Sequence, residues 1–140
     1  MPYTLEYKEA DGGIIVTFSG KLTEKEYQQC LKERVLLSKV IQSSKKAGAF
    51  RYSISDCANV TDFDVSVDSI KHDANVANAV MADNETVLMA VVAPSDHEFG
   101  LGRLWQAYIG SSGERANIFR TKEEANNWIA QTLALLETPI

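Results

Sequence analysis

The stretch YSISDCANVTDFDVSVDSI, Tyr52 to Ile70, decides how this chain is read. Its first residues alternate, Tyr52 and Ile54 apolar against Ser53 and Ser55 polar, with the period of a strand. Its end opens a different period: Val67, Ile70, Ala74, Ala77 and Met81 recur about every 3.5 residues, one stripe of a helix over about Val67 to Ala82. Between the two lies an acidic junction with Asp56, Asp62 and Asp64, and Ser66 stands where the helix should begin. A strand passing into an amphipathic helix through a short polar junction is the building unit of an α/β domain.

Upstream, the alternation spans AFRYSIS, Ala49 to Ser55. A parallel strand buried on both faces reads as continuously apolar, so this one is expected to have a partly wet face or an edge position. Tyr3, Leu5 and Tyr7 alternate in a first strand, and Ile14, Val16 and Phe18 share one face of a second, opposite Thr17 and Ser19. Asp11-Gly12 between the two runs marks a hairpin. Thr23 and Glu26 have capping-box spacing. They open a helix from about Glu24 to Ser44 with Tyr27, Leu31, Val35 and Ile41 on one side, Lys45 and Lys46 favouring its end and Gly48 stopping it.

Downstream, NETVLMAVVA is the most apolar strand and the expected centre of the sheet. Ser95 and Glu98 cap a helix from Asp96 to about Ile109, GSSG is a loop, and RANIF is the last strand. Thr121 and Glu124 open a final helix with Ala125, Trp128, Ile129, Thr132 and Leu136 on one face. The order β-β-α-β-α-β-α-β-α predicts one α/β domain over residues 1–140. Its sheet should be mixed and five-stranded, the first strand antiparallel and the rest parallel, with about four helices.

Composition bounds the function. With 140 residues, 45% apolar and 24% charged, the chain can build an ordinary core without staples. A net charge of −5 argues against sequence-independent nucleic-acid binding. The charge is uneven: residues 1–46 hold eight Lys/Arg and six Asp/Glu, and the remainder six and thirteen. Cys30 and Cys57 form neither a disulfide framework nor a zinc site, and no cofactor or metal is expected. The longest apolar run is too short to span a bilayer, and the start lacks the regions of a signal peptide, so a cytoplasmic protein is expected.

Ser66 is expected to be an N-cap, and a serine there can also carry a phosphate, because free helix N–H groups favour an anion. Asp62, Asp64, Ser66 and Asp73 fall at positions 1, 3, 5 and 12 of a calcium-loop count, but Val67 stands where glycine is needed and Asp73 lies inside the helix. Asp56 and Cys57 close the third strand, at an end where open α/β sheets place ligands, and a helix start can lower a thiol pKa. In APSDHEFGLGRLWQAY, the residues Ser95, His97, Phe99, Gly100, Gly102, Arg103 and Trp105 mark a pocket or interface. Two glycines inside a helix cost about 1 kcal/mol each against alanine, so close packing or a ligand should compensate.

Two features resemble the STAS-like domains, the SpoIIAA-like group named for sulfate transporters and anti-sigma-factor antagonists. One is Tyr52–Ile70, similar to the family's strand, Asp, short loop, Asn-Val-Thr, hydrophobic residue, Asp-Ser-Ser-Gly and helix. The other is the order of elements, ending in FRTKEEANNWI. Aligned so, Asp64 falls on the family's Asp and Ser66 on its second serine, the one phosphorylated by a partner kinase. Val65 replaces the first serine and Val67 the glycine. The resemblance implies a non-enzymatic regulatory, protein-interaction or ligand-sensing module with a protein partner, and a homodimer if the open sheet face carries aromatic residues. A small apolar-ligand or lipid carrier would need a cavity lined by Met81, Phe99, Leu104 or Trp105, and an enzyme would need Asp56, Cys57 or His97 gathered in a cleft.

Overall fold

The computed structural model describes residues 2–44, 50–84 and 86–137. Strands β1 (Tyr3–Lys8) and β2 (Gly13–Thr23) form the hairpin, followed by α1 (Glu24–Gln42), β3 (Tyr52–Asp64), α2 (Val67–Asp83), β4 (Leu88–Val92), α3 (Asp96–Ile109), a 3-10 segment (Gly110–Arg115), β5 (Ala116–Phe119) and α4 (Lys122–Glu137). The strands lie in the order β1-β2-β3-β4-β5, with β1 antiparallel to β2 and every other pair parallel. Gly12 takes φ 73° at the hairpin turn, where a side chain would be strained. Lys45, Lys46 and Gly48, expected to end the first helix, and Ala49 lie outside the described residues.

Three expectations change. The strand expected to close at Asp56 and Cys57 runs on through the acidic junction to Asp64, paired with β2 as far as Thr23. Its register against β2 slips between Thr17 and Ser19 and again between Gly20 and Lys21. Each slip sets an extra β3 residue against β2, and Gly20 accommodates the second at φ 67°. Two bulges break the alternation that would mark a strand in sequence. Second, β3 and not β4 is central, so the edge position does not hold, whereas the alternative of a partly wet face does, with Ser53 and Ser55 half-buried. Ser53 and Ser55 face the helix layer, while Tyr52 and Ile54 pack under α4. Third, GSSG forms most of a 3-10 segment and not a loop.

Helices α1, α2 and α3 cover one face through Tyr27, Cys30, Ile70, Ala74, Ala77, Met81 and Trp105, against Val16, Phe18 and Ile118 of the sheet. Helix α4 covers β3 and β4 from the other side through Ala125 and Ile129. Val67 and Leu136, expected on the buried stripes, are 46% and 51% exposed because each lies at a helix end past the sheet. The strand order never reverses, so the sheet has no topological switch point of the kind that opens a ligand crevice in α/β folds. Of the sheet aromatics, Tyr3, Phe18 and Tyr52 are buried, and Tyr7, Phe63 and Phe119 are half-buried.

Candidate functional site

The loop end of the sheet carries the starts of α2 and α3. Ser66 is exposed and caps α2 at φ −73° and ψ 157°, its Oγ accepting from Ser69 N–H at 3.1 Å. A carboxylate from another helix joins it. Glu24, in the first turn of α1, accepts through Oε1 from Ser66 Oγ–H, from Ser66 N–H at 3.1 Å and from Ser69 Oγ–H at 2.6 Å. The Ser66 hydroxyl, followed by the Ser69 hydroxyl and the Ser66 amide, holds the Glu24 carboxyl below the usual carboxylate range. The N-terminus of α2 therefore already holds one anionic oxygen, as an unsatisfied ring of amides at a helix start allows. Asp62, Asp64 and Asp68 are exposed around it.

The other junction residues do not converge. Asp56 is buried and its Oδ1 accepts from Ala58 N–H at 2.9 Å, closing the first bulge. Cys57 is buried in the core, and burial, followed by the charge of Glu98, pushes its thiol well above the usual range. The lowered pKa that a helix start could give is not found, because Cys57 lies inside β3, away from the start of α2, and is shut off from water. His97 is exposed and meets Phe63 edge-on at 6.4 Å. Asp56 and Cys57 are neighbours on β3, and His97 stands apart from them at the start of α3, against Phe63.

On α3, Ser95 caps the helix, accepting from Glu98 N–H at 3.1 Å and donating to Glu98 Oε1 at 2.7 Å. Phe99 lies beneath the Arg120 guanidinium at 4.1 Å. The two glycines have different reasons. A Cβ on Gly102 would meet Ile118 Cγ2 at 2.9 Å, so close approach to the sheet requires glycine. A Cβ on Gly100 would meet nothing within 4 Å, and packing does not explain it. Arg103 is exposed and Trp105 buried.

Trp105 leads to a group that the sequence reading missed. Its Nε1–H donates to Asp73 Oδ1 at 3.2 Å. Tyr27 Oη–H donates to Asp73 Oδ2, and Arg34 pairs with that oxygen through an amino group at 3.3 Å. The other amino group of Arg34 donates to Ser55 Oγ at 3.1 Å. One buried carboxylate thus collects three donors from α1 and α3, and the polar face of β3 finds its partner there. Burial, followed by the Asp73 charge, holds the Tyr27 phenol well above its ordinary range. A signal was present in sequence: Arg34 sits three residues past Leu31, and Asp73 three past Ile70, opposite charges inside two apolar stripes. Two cavities of about 50 Å³ each flank this cluster, sharing Arg34, Ser55, Asp73, Val91 and Trp105 as walls.

No family model and no curated protein matches the chain. Solved structures do. An anti-sigma-factor antagonist (STAS) domain protein from Planctomyces limnophilus aligns with a TM-score of 0.60 at 14% identity, over 91% of this chain and 97% of that one. The Bacillus cell-fate determinant SpoIIAA in its phosphorylated form aligns at 0.54 and 16%, over 91% and 98%. An uncharacterised protein with a SpoIIAA-like fold from Shewanella loihica aligns at 0.53 and 16%, over 91% of each chain. Identities this low carry the fold alone. The chain has the SpoIIAA-like fold that STAS domains share.

Proposed function

We propose that this is a non-enzymatic regulatory module that binds a protein partner at the end of the fold carrying the starts of α2 and α3, with Ser66 as its covalent control point. One observation carries the reading: Ser66 is an exposed N-cap whose hydroxyl, amide and neighbouring Ser69 already hold a carboxylate. A site that receives a carboxylate at a helix N-terminus also suits a phosphate. A protein of the same fold has been solved phosphorylated. A phosphoserine adds about −1.5 to −2 charge. It would compete directly with Glu24, so modification would release α1 from the start of α2 and change the surface offered to a partner. Val65 and Val67 flank the serine with branched apolar side chains, so the kinase would have to accept them.

Intact mass and fragment mapping of protein from its native host, under varied growth conditions, test the proposal. Phosphate on Ser66 supports it, and unmodified Ser66 throughout refutes it. The carrier alternative finds less support: of Met81, Phe99, Leu104 and Trp105, only Trp105 lines either cavity beside the cluster. Among the described residues, no helix is long and apolar enough to cross a membrane.

A further inference from the structure

An open groove of about 560 Å³ lies between α1 and α2. Leu31, Val35 and Leu36 of α1 and Val76 of α2 make its apolar wall, the exposed Lys32 and His72 stand beside them, and no residue lining it is acidic. Leu36 is 63% exposed, and Val40, one turn further along α1, is 65% exposed. Exposed apolar side chains scattered singly over a surface need no explanation. Here two follow each other at i and i+4 on one helix, the first of them beside an apolar groove.

The charge beside the groove is ordered. Lys25, Lys32 and Lys39 recur every seven residues, which sets them in one row along α1, two turns apart. All three are exposed. A helix face that only meets water gains from acids three or four residues from its lysines. None stands there: those places hold lysine, leucine, glutamine, valine and serine. Among the described residues, no lysine of the row makes an ion pair. The acids of α1 are engaged elsewhere, Glu24 with Ser66 and Ser69, Glu26 with Thr23 and Glu33 with Tyr3. An uncompensated positive row thus borders an apolar groove on a chain of net charge −5.

Shape and charge together select the occupant. A helix with one apolar face flanked by carboxylates fills such a groove and pairs with charges at seven-residue spacing, as at the edges of coiled coils. A bilayer surface is flat, and would meet Leu36 but not Leu31, which is 7% exposed. A second copy joined face to face by a two-fold axis would set lysine row against lysine row. We propose that the α1–α2 groove is a docking surface for an acidic amphipathic helix of a partner protein, its apolar face on Val35, Leu36 and Val76 and its carboxylates along Lys25, Lys32 and Lys39. The surface is separate from Ser66, and its test does not depend on phosphorylation.

The test is a titration of the full ¹⁵N-labelled chain with two synthetic three-heptad helical peptides that share one leucine face. One carries glutamates beside the leucines, the other lysines at the same places. The glutamate peptide should give saturable shifts in residues 28–40 and 72–76 and bind more weakly as salt is raised. The lysine peptide should bind at least about tenfold more weakly. Lys25→Glu with Lys32→Glu, both at exposed positions, should move the preference about tenfold toward the lysine peptide. Leu36→Gln, which leaves the core intact, should weaken the glutamate peptide about tenfold at every salt concentration. Equal binding of the two peptides, no saturable shift from the glutamate peptide, or an unchanged preference in the double variant would overturn the proposal. So would binding of anionic phospholipid vesicles in its place, which would assign the face to a membrane. Shifts of α1 that grow with the concentration of the chain alone would assign it to a second copy, and would equally overturn it.

Discussion

Asp73→Asn should be among the most damaging single-atom changes in this protein. Asp73 is 6% exposed and receives Tyr27, Arg34 and Trp105. The asparagine is the same size, so no cavity opens. It removes the charge opposite Arg34, whose side chain is only 17% exposed, and turns one acceptor oxygen into a donor facing other donors. Removing one partner of a buried pair costs about 3–5 kcal/mol, because the other charge is left without compensation. Domain stabilities are about 5–15 kcal/mol, so the loss is a large share of the total. At about 2–4 °C per kcal/mol, the melting temperature should fall by roughly 6–20 °C. Urea unfolding followed by circular dichroism should show a lower midpoint with an unchanged slope, the mark of lost stability without a change in exposed surface. Adding Arg34→Met should recover at least about 2 kcal/mol, since the stranded charge is then gone. A cost below about 1 kcal/mol for Asp73→Asn, or a double variant whose losses simply add, would refute the claim that this pair is a coupled unit.

The two glycines of α3 should respond in opposite directions: Gly100→Ala should stabilise by up to about 1 kcal/mol because its site is open and helical. Gly102→Ala should destabilise by about 1–3 kcal/mol because its Cβ meets Ile118. Thermal melts that rank the two variants the other way would exclude the packing account. Glu24 makes the α1–α2 contact sensitive to acid. Its folded pKa lies below the usual 4.5, so the stabilisation is complete above that value and is lost as pH falls through the lower folded one. Glu24→Gln should therefore flatten the stability-versus-pH curve on its acid side, below the usual carboxylate pKa of 4.5, and identical curves for variant and parent would show that the carboxylate contributes nothing there.

The helix starts were legible because their chemistry is local. Thr23, Ser66, Ser95 and Thr121 each receive a hydrogen bond from an amide three residues ahead. That spacing is visible in any sequence. The Asp11-Gly12 turn and the alternation of strands with helices are local in the same sense. Together they determined the element order and, through the handedness and length of the crossovers, the parallel sheet. Ser66 was legible for this reason, but Glu24, which completes its site, lies 42 residues away.

What needed the tertiary structure was every feature set by distant partners. Strand β3 continues past Cys57 because β2 pairs with it there, and two bulges erase the alternation that would have announced the pairing. Ser53 and Ser55 are half-buried, as the alternation suggested, but a lone strand cannot show that the opposite layer supplies an arginine to Ser55. Arg34 and Asp73 are 39 residues apart, and only the docking of α1 against α2 brings them together. Local sequence thus determined which segments form helices and strands. The packing of those segments decided which polar atoms are buried and which are paired, because burial belongs to the assembled layers and to no single stretch of chain.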